Sequence, residues 1–275
     1  MKQPDTALIS ACLRWGWHLW LHPHHGALRP PHTHSALSMS SVDVPRTATT
    51  SPQKMQESFM TFARCLSYAI DAKDTYTHGH SLRVTEHALG LARTLRLAPP
   101  ILEVLEVGGL LHDIGKIGIP EKILHKKGPL SNGEFDVIKR HPSDGARMLG
   151  ELAEMAHVAL CVRHHHERFD GTGYPDGLAG DSIPLTARIL AVADAYDAIT
   201  SERPYRKALG RRQAVEELRR CSGTQFDPRL VDLFIPMVEN RPKGRIESAL
   251  RLKYPSLKKD APTDSSGALA ASQEK

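Results

Sequence analysis

From Gln53 to Val238 the apolar residues return at helical intervals, segment after segment, and strand signals are scarce. Phe59, Phe62, Ala63, Leu66, Ala69 and Ile70 fall at i, i+3, i+4 and i+7 spacing and predict a first helix. Leu82, Leu89, Ala92 and Leu95 predict a second, which stops before Pro99-Pro100. Ile101 to Leu111 reads as a third, strongly apolar helix that runs into His112-Asp113. Ser131 and Glu134 read as a capping box ahead of Phe135, Val137 and Ile138. Pro142 suits the first turn of the next helix. Glu151 to His164 and Leu185 to Ile199 predict two more, and Asp227-Pro228 begins a last one through Val238. The expected fold is all-α: a single helical domain over 53–240, broken by Gly/Pro-rich loops at 115–120 and 170–184. Aromatic residues make up only 5% of the chain, so aliphatic side chains must fill most of the core.

The flanks differ in kind. Residues 1–50 carry Pro30-Pro31 and scattered histidines without periodicity, and are expected to be an irregular leader, with Met39 an alternative start. Residues 241–275 are polar and expected to fray. No uninterrupted apolar run reaches the ~18 residues that span a bilayer. The stretch from Ala7 to Leu21 is interrupted by Arg14 and His18, and no cleavage site follows, so neither a membrane span nor a signal peptide is expected. Cys12, Cys65, Cys161 and Cys221 form no CxxC pair, which favours a reduced, cytoplasmic compartment. The net charge of +5 suits an anionic partner. Much of the excess lies in Arg211, Arg212, Arg219, Arg220 and the run from Arg241 to Lys259, which reads as solvated surface rather than a nucleic-acid patch.

The chemistry concentrates in histidines and aspartates at helix ends. His112-Asp113 closes an apolar helix, His141 precedes Pro142, and His164-His165-His166-Glu167 ends another helix. His80 stands at the start of the second helix, and Asp194 interrupts the apolar run from Ile189 to Ala195. An isolated carboxylate on an apolar helix face costs several kcal/mol, so Asp194 must be paired or bound to a cation. A lone histidine is usually core packing, but this set is spread over five helices. Imidazole plus carboxylate suits Fe, Mn or Zn. Seven donors exceed the needs of one ion and fit two, ~3.5–4 Å apart, bridged by a carboxylate.

His112-Asp113-Ile114-Gly115-Lys116 and the run from His165 through Asp170-Gly171-Thr172-Gly173-Tyr174-Pro175 resemble the two defining motifs of HD-GYP domains. The flanks His80-Ser81-Leu82-Arg83-Val84, His141-Pro142, Asp194 to Ala198 and Arg203-Pro204-Tyr205-Arg206 are similar too, and the resemblance covers about 55–238. It implies a phosphodiesterase that opens cyclic di-GMP to pGpG, with GMP as an alternative end product. It implies His80, His112, Asp113, His141, His165, His166 and Asp194 as metal ligands, with Asp113 bridging two divalent ions, Fe or Mn. Some family members add a third metal through a glutamate four residues before the first histidine; Tyr76 stands there and favours two. Asp113 and Lys116 are implied as catalytic. Lys116, Arg203 and Arg206 would meet phosphates or bases, and Tyr174 would stack on a guanine. The loop with Gly171, Gly173, Tyr174 and Pro175 is associated with substrate recognition and with signalling-protein partners. A catalytically silent nucleotide-binding module and a hydrolase of another phosphoester are the alternatives, and a homodimer stays open.

Overall fold

A computed structural model describes residues 51–74, 79–202, 208–242 and 246. The leader over 1–50, Tyr76, Arg203, Arg206 and all of the tail but 241, 242 and 246 lie outside the described residues. Packing divides the chain after Ser58. Of the first unit only 51–58, the opening turns of α1, are described, and every other described residue belongs to the second.

The described residues form α1 (Pro52–Lys73), α2 (His80–Thr94), α3 (Pro99–Leu111), α4 (Glu121–Leu124), α5 (Asn132–Ile138), α6 (His141–Gly150), α7 (Ala156–His164), α8 (Leu185–Thr200), α9 (Arg211–Arg220) and α10 (Pro228–Glu239). Short 3₁₀ turns occupy Ile114–Gly118, Ala153–Met155 and Gly180–Ser182. No strand occurs among the described residues, so the fold is all-α; one isolated bridge pairs Ser222 with Phe226. None of the described helices is long and apolar enough to cross a membrane.

Local chemistry sets the helix ends. Pro99 and Pro100 open α3 behind an extended Ala98. Ser131 and Glu134 complete the capping box of α5, with Ser131 N donating to Glu134 Oε2 at 2.7 Å. Asp227 caps α10 by accepting from Arg229 N at 3.0 Å. Helix α2 packs on α3, α8 and α10, and α6 packs on α7 and on the 3₁₀ turn after Asp113. A core of Ala63, Ile70, Leu82, Leu110, Leu111 and Val162 ties α1, α2, α3 and α7 together.

Two expectations change. The segment from Glu151 to His164 is not one helix: Leu152 is extended, a 3₁₀ turn follows, and α7 starts at Ala156. The buried stripe of α7 is Val158, Cys161 and Val162. Leu152 lies six residues before Val158, about 240° round a helix, so a continuous helix would have pointed it away from that stripe; it is exposed here. The sequence also conceals α9, whose charged ends hide the buried stripe Ala214, Val215 and Leu218.

Candidate metal centre

Three helix termini and the start of α2 converge on one volume. His112 follows α3, His165 and His166 follow α7, His141 opens α6 and His80 opens α2, while Asp194 projects from the middle of α8. Ligand atoms of His80, His112 and Asp194 lie within 4.8 Å of one another, as do those of His141, His165 and His166. Asp113 stands between the two triads: Oδ2 is 3.4 Å from His112 Nε2, and Oδ1 is 3.3 Å from His141 Nε2. All seven expected metal-site residues are thus in one place. The rings run edge to face, with centroids 5.3 Å apart for His80–His112 and 5.2 Å for His112–His165.

The orientation of each ring follows from what its other nitrogen does. His112 Nδ1 donates to Gly109 O at 2.8 Å, His141 Nδ1 to Ile138 O at 2.8 Å, and His165 Nδ1 to Val162 O at 2.6 Å. These carbonyls lie in the last turns of α3, α5 and α7, where helix acceptors lack partners of their own. Each bond puts the ring proton on Nδ1 and leaves Nε2 as a lone pair facing the centre. Burial holds His141 down at about 4 and His165 down at about 3, and it pushes His166 well below the ordinary value as well. The Nε2 atoms of His141 and His165 are buried without a hydrogen-bond partner. Buried neutral imidazoles with unshared lone pairs, set around carboxylates, are the donor set that a first-row divalent ion requires. The residues therefore fit a metal.

His80 is supported differently. Its Nδ1 meets Asp197 Oδ2 at 2.8 Å and its Nε2 faces Asp194 Oδ1 at 3.2 Å. Burial disfavours charge on this ring, but the two carboxylates outweigh it and hold its pKa up at about 10. A proton on Nε2 thus stands in for a cation between His80 and Asp194. Asp197 in turn accepts from Arg83, Nε to Oδ1 at 2.7 Å. Such outer carboxylates fix the tautomer of a ligating histidine and raise its basicity. Arg83 and Asp197 lie in the flanking motifs, where the resemblance assigns them no role. Asp194 and Asp197 at i, i+3 on α8, and His80 and Arg83 at i, i+3 on α2, are the signal that could have found them.

Lys116 sits with Nζ 2.8 Å from both Asp113 Oδ2 and Asp74 Oδ2. Burial works against its charge, yet the two carboxylates raise its pKa, so it stays an ammonium. Asp113 is held well below the ordinary carboxylate range, against the effect of burial, chiefly by the ammonium of Lys116. Asp74, just past the end of α1, is a further partner not identified from sequence.

The loop after His166 is seated on the same helix end. Tyr174 N donates to His166 O at 3.2 Å, and its ring lies 5.1 Å from the His166 ring. Asp176 N donates to the buried Glu167 at 2.7 Å. The Tyr174–Pro175 peptide is cis. A Cβ on Gly173 would fall 2.3 Å from Arg168 N, so only glycine lets the loop lie this close to the helix end. Tyr174 and Pro175 are half-buried beside the metal-site histidines.

The chain is 44% identical over 183 residues to a cyclic di-GMP phosphodiesterase of Pseudomonas aeruginosa, covering 65% of this chain and 44% of that protein. It is 43% identical over 172 residues to a cyclic di-GMP phosphodiesterase response regulator of Xanthomonas campestris, covering 62% and 46%. A 3'3'-cGAMP-specific phosphodiesterase of Vibrio cholerae is 37% identical over 180 residues, covering 65% and 42%. The chain therefore spans less than half the length of these relatives. In fold it is similar to the crystal structure of a cyclic GMP-AMP specific phosphodiesterase of V. cholerae, with a TM-score of 0.55 at 23% identity over 70% of this chain and 50% of that one. The HD domain model matches residues 64–230, the stretch that carries every metal-site residue described above, and the chain belongs to the HD domain family.

Proposed function

We propose that the chain is a metal-dependent phosphodiesterase that hydrolyses cyclic di-GMP to linear pGpG. Two divalent ions, Fe or Mn, would be held by His80, His112 and Asp194 on one side and by His141, His165 and His166 on the other, with Asp113 shared. The observation that carries this reading is the Asp113 carboxylate, which turns one oxygen to each triad. Bound there, the ions supply positive charge to the phosphodiester and make water acidic enough to attack it near neutral pH.

The chain's own groups do the remaining work. Lys116, ionised and held at Asp113, offers N–H donors to a phosphate oxygen or to the departing oxygen. Tyr174, seated against His166, presents a ring face on which a guanine can stack. Arg203 and Arg206 are assigned to the phosphates or to guanine acceptors by their place in the motif. The loop through Gly171, Gly173, Tyr174 and Pro175 is the surface offered to a signalling partner. Cyclic di-GMP is preferred because two relatives named for it stand at 44% and 43% identity, whereas three named for 3'3'-cGAMP stand at 37%, 39% and 36%.

The test uses protein purified under reducing, low-oxygen conditions, analysed for metal and assayed with Mn²⁺ or Fe²⁺. Two metals per chain and release of pGpG from cyclic di-GMP are expected, and Asp113→Ala should lose both while keeping its helical circular dichroism. Turnover retained by Asp113→Ala sinks the assignment. Metal and nucleotide bound without turnover would identify a silent binding module, and preferential cleavage of 3'3'-cGAMP would move the substrate.

A further inference from the structure

A cavity of about 260 Å³ lies among α2, α8, α9 and the end of α10. It is lined by Arg83, His87, Tyr196, Asp197, Arg211 and Arg241, with apolar and hydroxyl groups completing the wall. Three guanidinium groups face it against a single carboxylate, and that carboxylate, Asp197, is already shared between His80 and Arg83. Arg211 and Arg241 belong to the basic residues that read as solvated surface, yet both are half-buried and turned inward. His87 is buried on the same wall, against the rings of Tyr196 and Phe234, and its Nδ1 has no hydrogen-bond partner. A cationic, partly enclosed cavity with a buried, unsatisfied imidazole calls for an anion that accepts several hydrogen bonds. The volume lies at the small end of ligand clefts, which begin at ~300 Å³, and suits a phosphate-sized anion better than a whole cyclic dinucleotide.

We propose that this cavity binds a phosphate group, either free or as the terminal group of a phosphomonoester, and that the site is coupled to the metal centre. Guanidinium forks match phosphate oxygens and bind them in bidentate fashion. The coupling runs through Arg83. Its Nε and Nη2 hold both oxygens of Asp197, at 2.7 and 3.0 Å, and Asp197 holds His80 Nδ1. An anion that draws on Arg83 competes with Asp197 for it and changes the support beneath His80. The binding does not depend on the proposed reaction; only the coupling refers to the metal centre.

The experiment titrates the metal-loaded chain with inorganic phosphate, and separately with 5′-guanylate, by calorimetry. Phosphate can also meet the metals, so the reading is the difference between wild type and the pair Arg211→Gln/Arg241→Gln, which leaves every metal-site residue in place. The pair is expected to weaken one binding event by about tenfold or more at unchanged metal content. Arg211→Lys/Arg241→Lys, which keeps the charge but not the bidentate fork, is expected to restore only part of it. If the glutamine pair loses helix content, Arg241→Gln alone, beyond the end of α10, gives the same difference. In wild type, the bound phosphate is also expected to change the rate at which a chelator strips the metals, and the glutamine pair to abolish that change. Equal affinities for phosphate and guanylate assign free phosphate as the ligand; guanylate bound about tenfold tighter assigns a phosphomonoester. Titrations that do not distinguish wild type from the glutamine variants overturn the site, and a chelation rate indifferent to phosphate overturns the coupling.

Discussion

Gly115 and His141 approach so closely that a Cβ on the glycine would lie 1.9 Å from the histidine's carbonyl oxygen. The same Cβ would meet Gly145 N at 2.7 Å. Both are backbone atoms of α6, so neither can swing aside. The contact seats the turn after Asp113 on the helix that begins with His141, and so sets the distance between those two residues. Gly115→Ala should therefore push the turn off α6, cost about 3 kcal/mol of stability, and reduce metal content together. Thermal unfolding and metal analysis of the same preparation check this; an unchanged midpoint with full metal content would refute it.

Asp197 acts on the centre without facing both triads. Asp197→Asn keeps an acceptor for His80 Nδ1–H but removes the charge that raises the ring's basicity and pairs with Arg83. Metal affinity is expected to fall by about 10–100-fold, with the helices intact. Chelator competition reads this directly, and an affinity equal to wild type would deny Asp197 its role.

His87 gives a pH dependence apart from the candidate metal ligands. Burial lowers its pKa from 6.5 to about 4. Above 6.5 it is neutral folded and unfolded, and contributes nothing to the slope. As pH falls from 6.5 to 4, the unfolded chain takes up a proton that the folded chain refuses, so stability declines across that window and levels off below it. The loss ascribable to His87 is at most about 3 kcal/mol. His87→Phe, which keeps a ring against Tyr196 and Phe234, should be less acid-sensitive between pH 6.5 and 4 in phosphate-free buffer. Denaturant midpoints across that range that fall in parallel for both proteins would count against it.

Thiol labelling should separate the described cysteines. Cys65 is exposed, whereas Cys161 and Cys221 are buried and their thiols are pushed up to about 12 and about 11. Native alkylation at pH 8 is expected to modify Cys65 and spare the other two until the chain unfolds, because only the thiolate reacts. Peptide mass spectrometry decides; early modification of Cys161 would mean that the α7 packing opens readily.

Most of the helices and the seven candidate metal-site residues are legible because each announces itself locally, whereas α4 and α9 are not. A histidine at the end of an apolar run, or an aspartate inside one, is anomalous wherever the chain goes. Asp74, Arg83 and Asp197 were not, because a charged residue at a helix end or on a helix flank is ordinary until its distant partner is known. Asp74 finds Lys116 42 residues away, and Asp197 finds His80 at a separation of 117. The same holds for Arg211 and Arg241, whose inward turn depends on where α9 and α10 pack. The break before α7 needed the phase of a buried stripe, which one exposed leucine obscured.

The rings of His112, His141 and His165 each close a helix with one nitrogen and face the centre with the other. Alanine at any of them would do two things at once: delete a donor and strand a carbonyl at the end of a helix. A null phenotype from such a variant is therefore ambiguous, since a collapsed scaffold and a disarmed centre look alike in an activity screen. Asp194 sits mid-helix and terminates nothing. Like Asp113, it is a position where genetics can separate loss of chemistry from loss of fold.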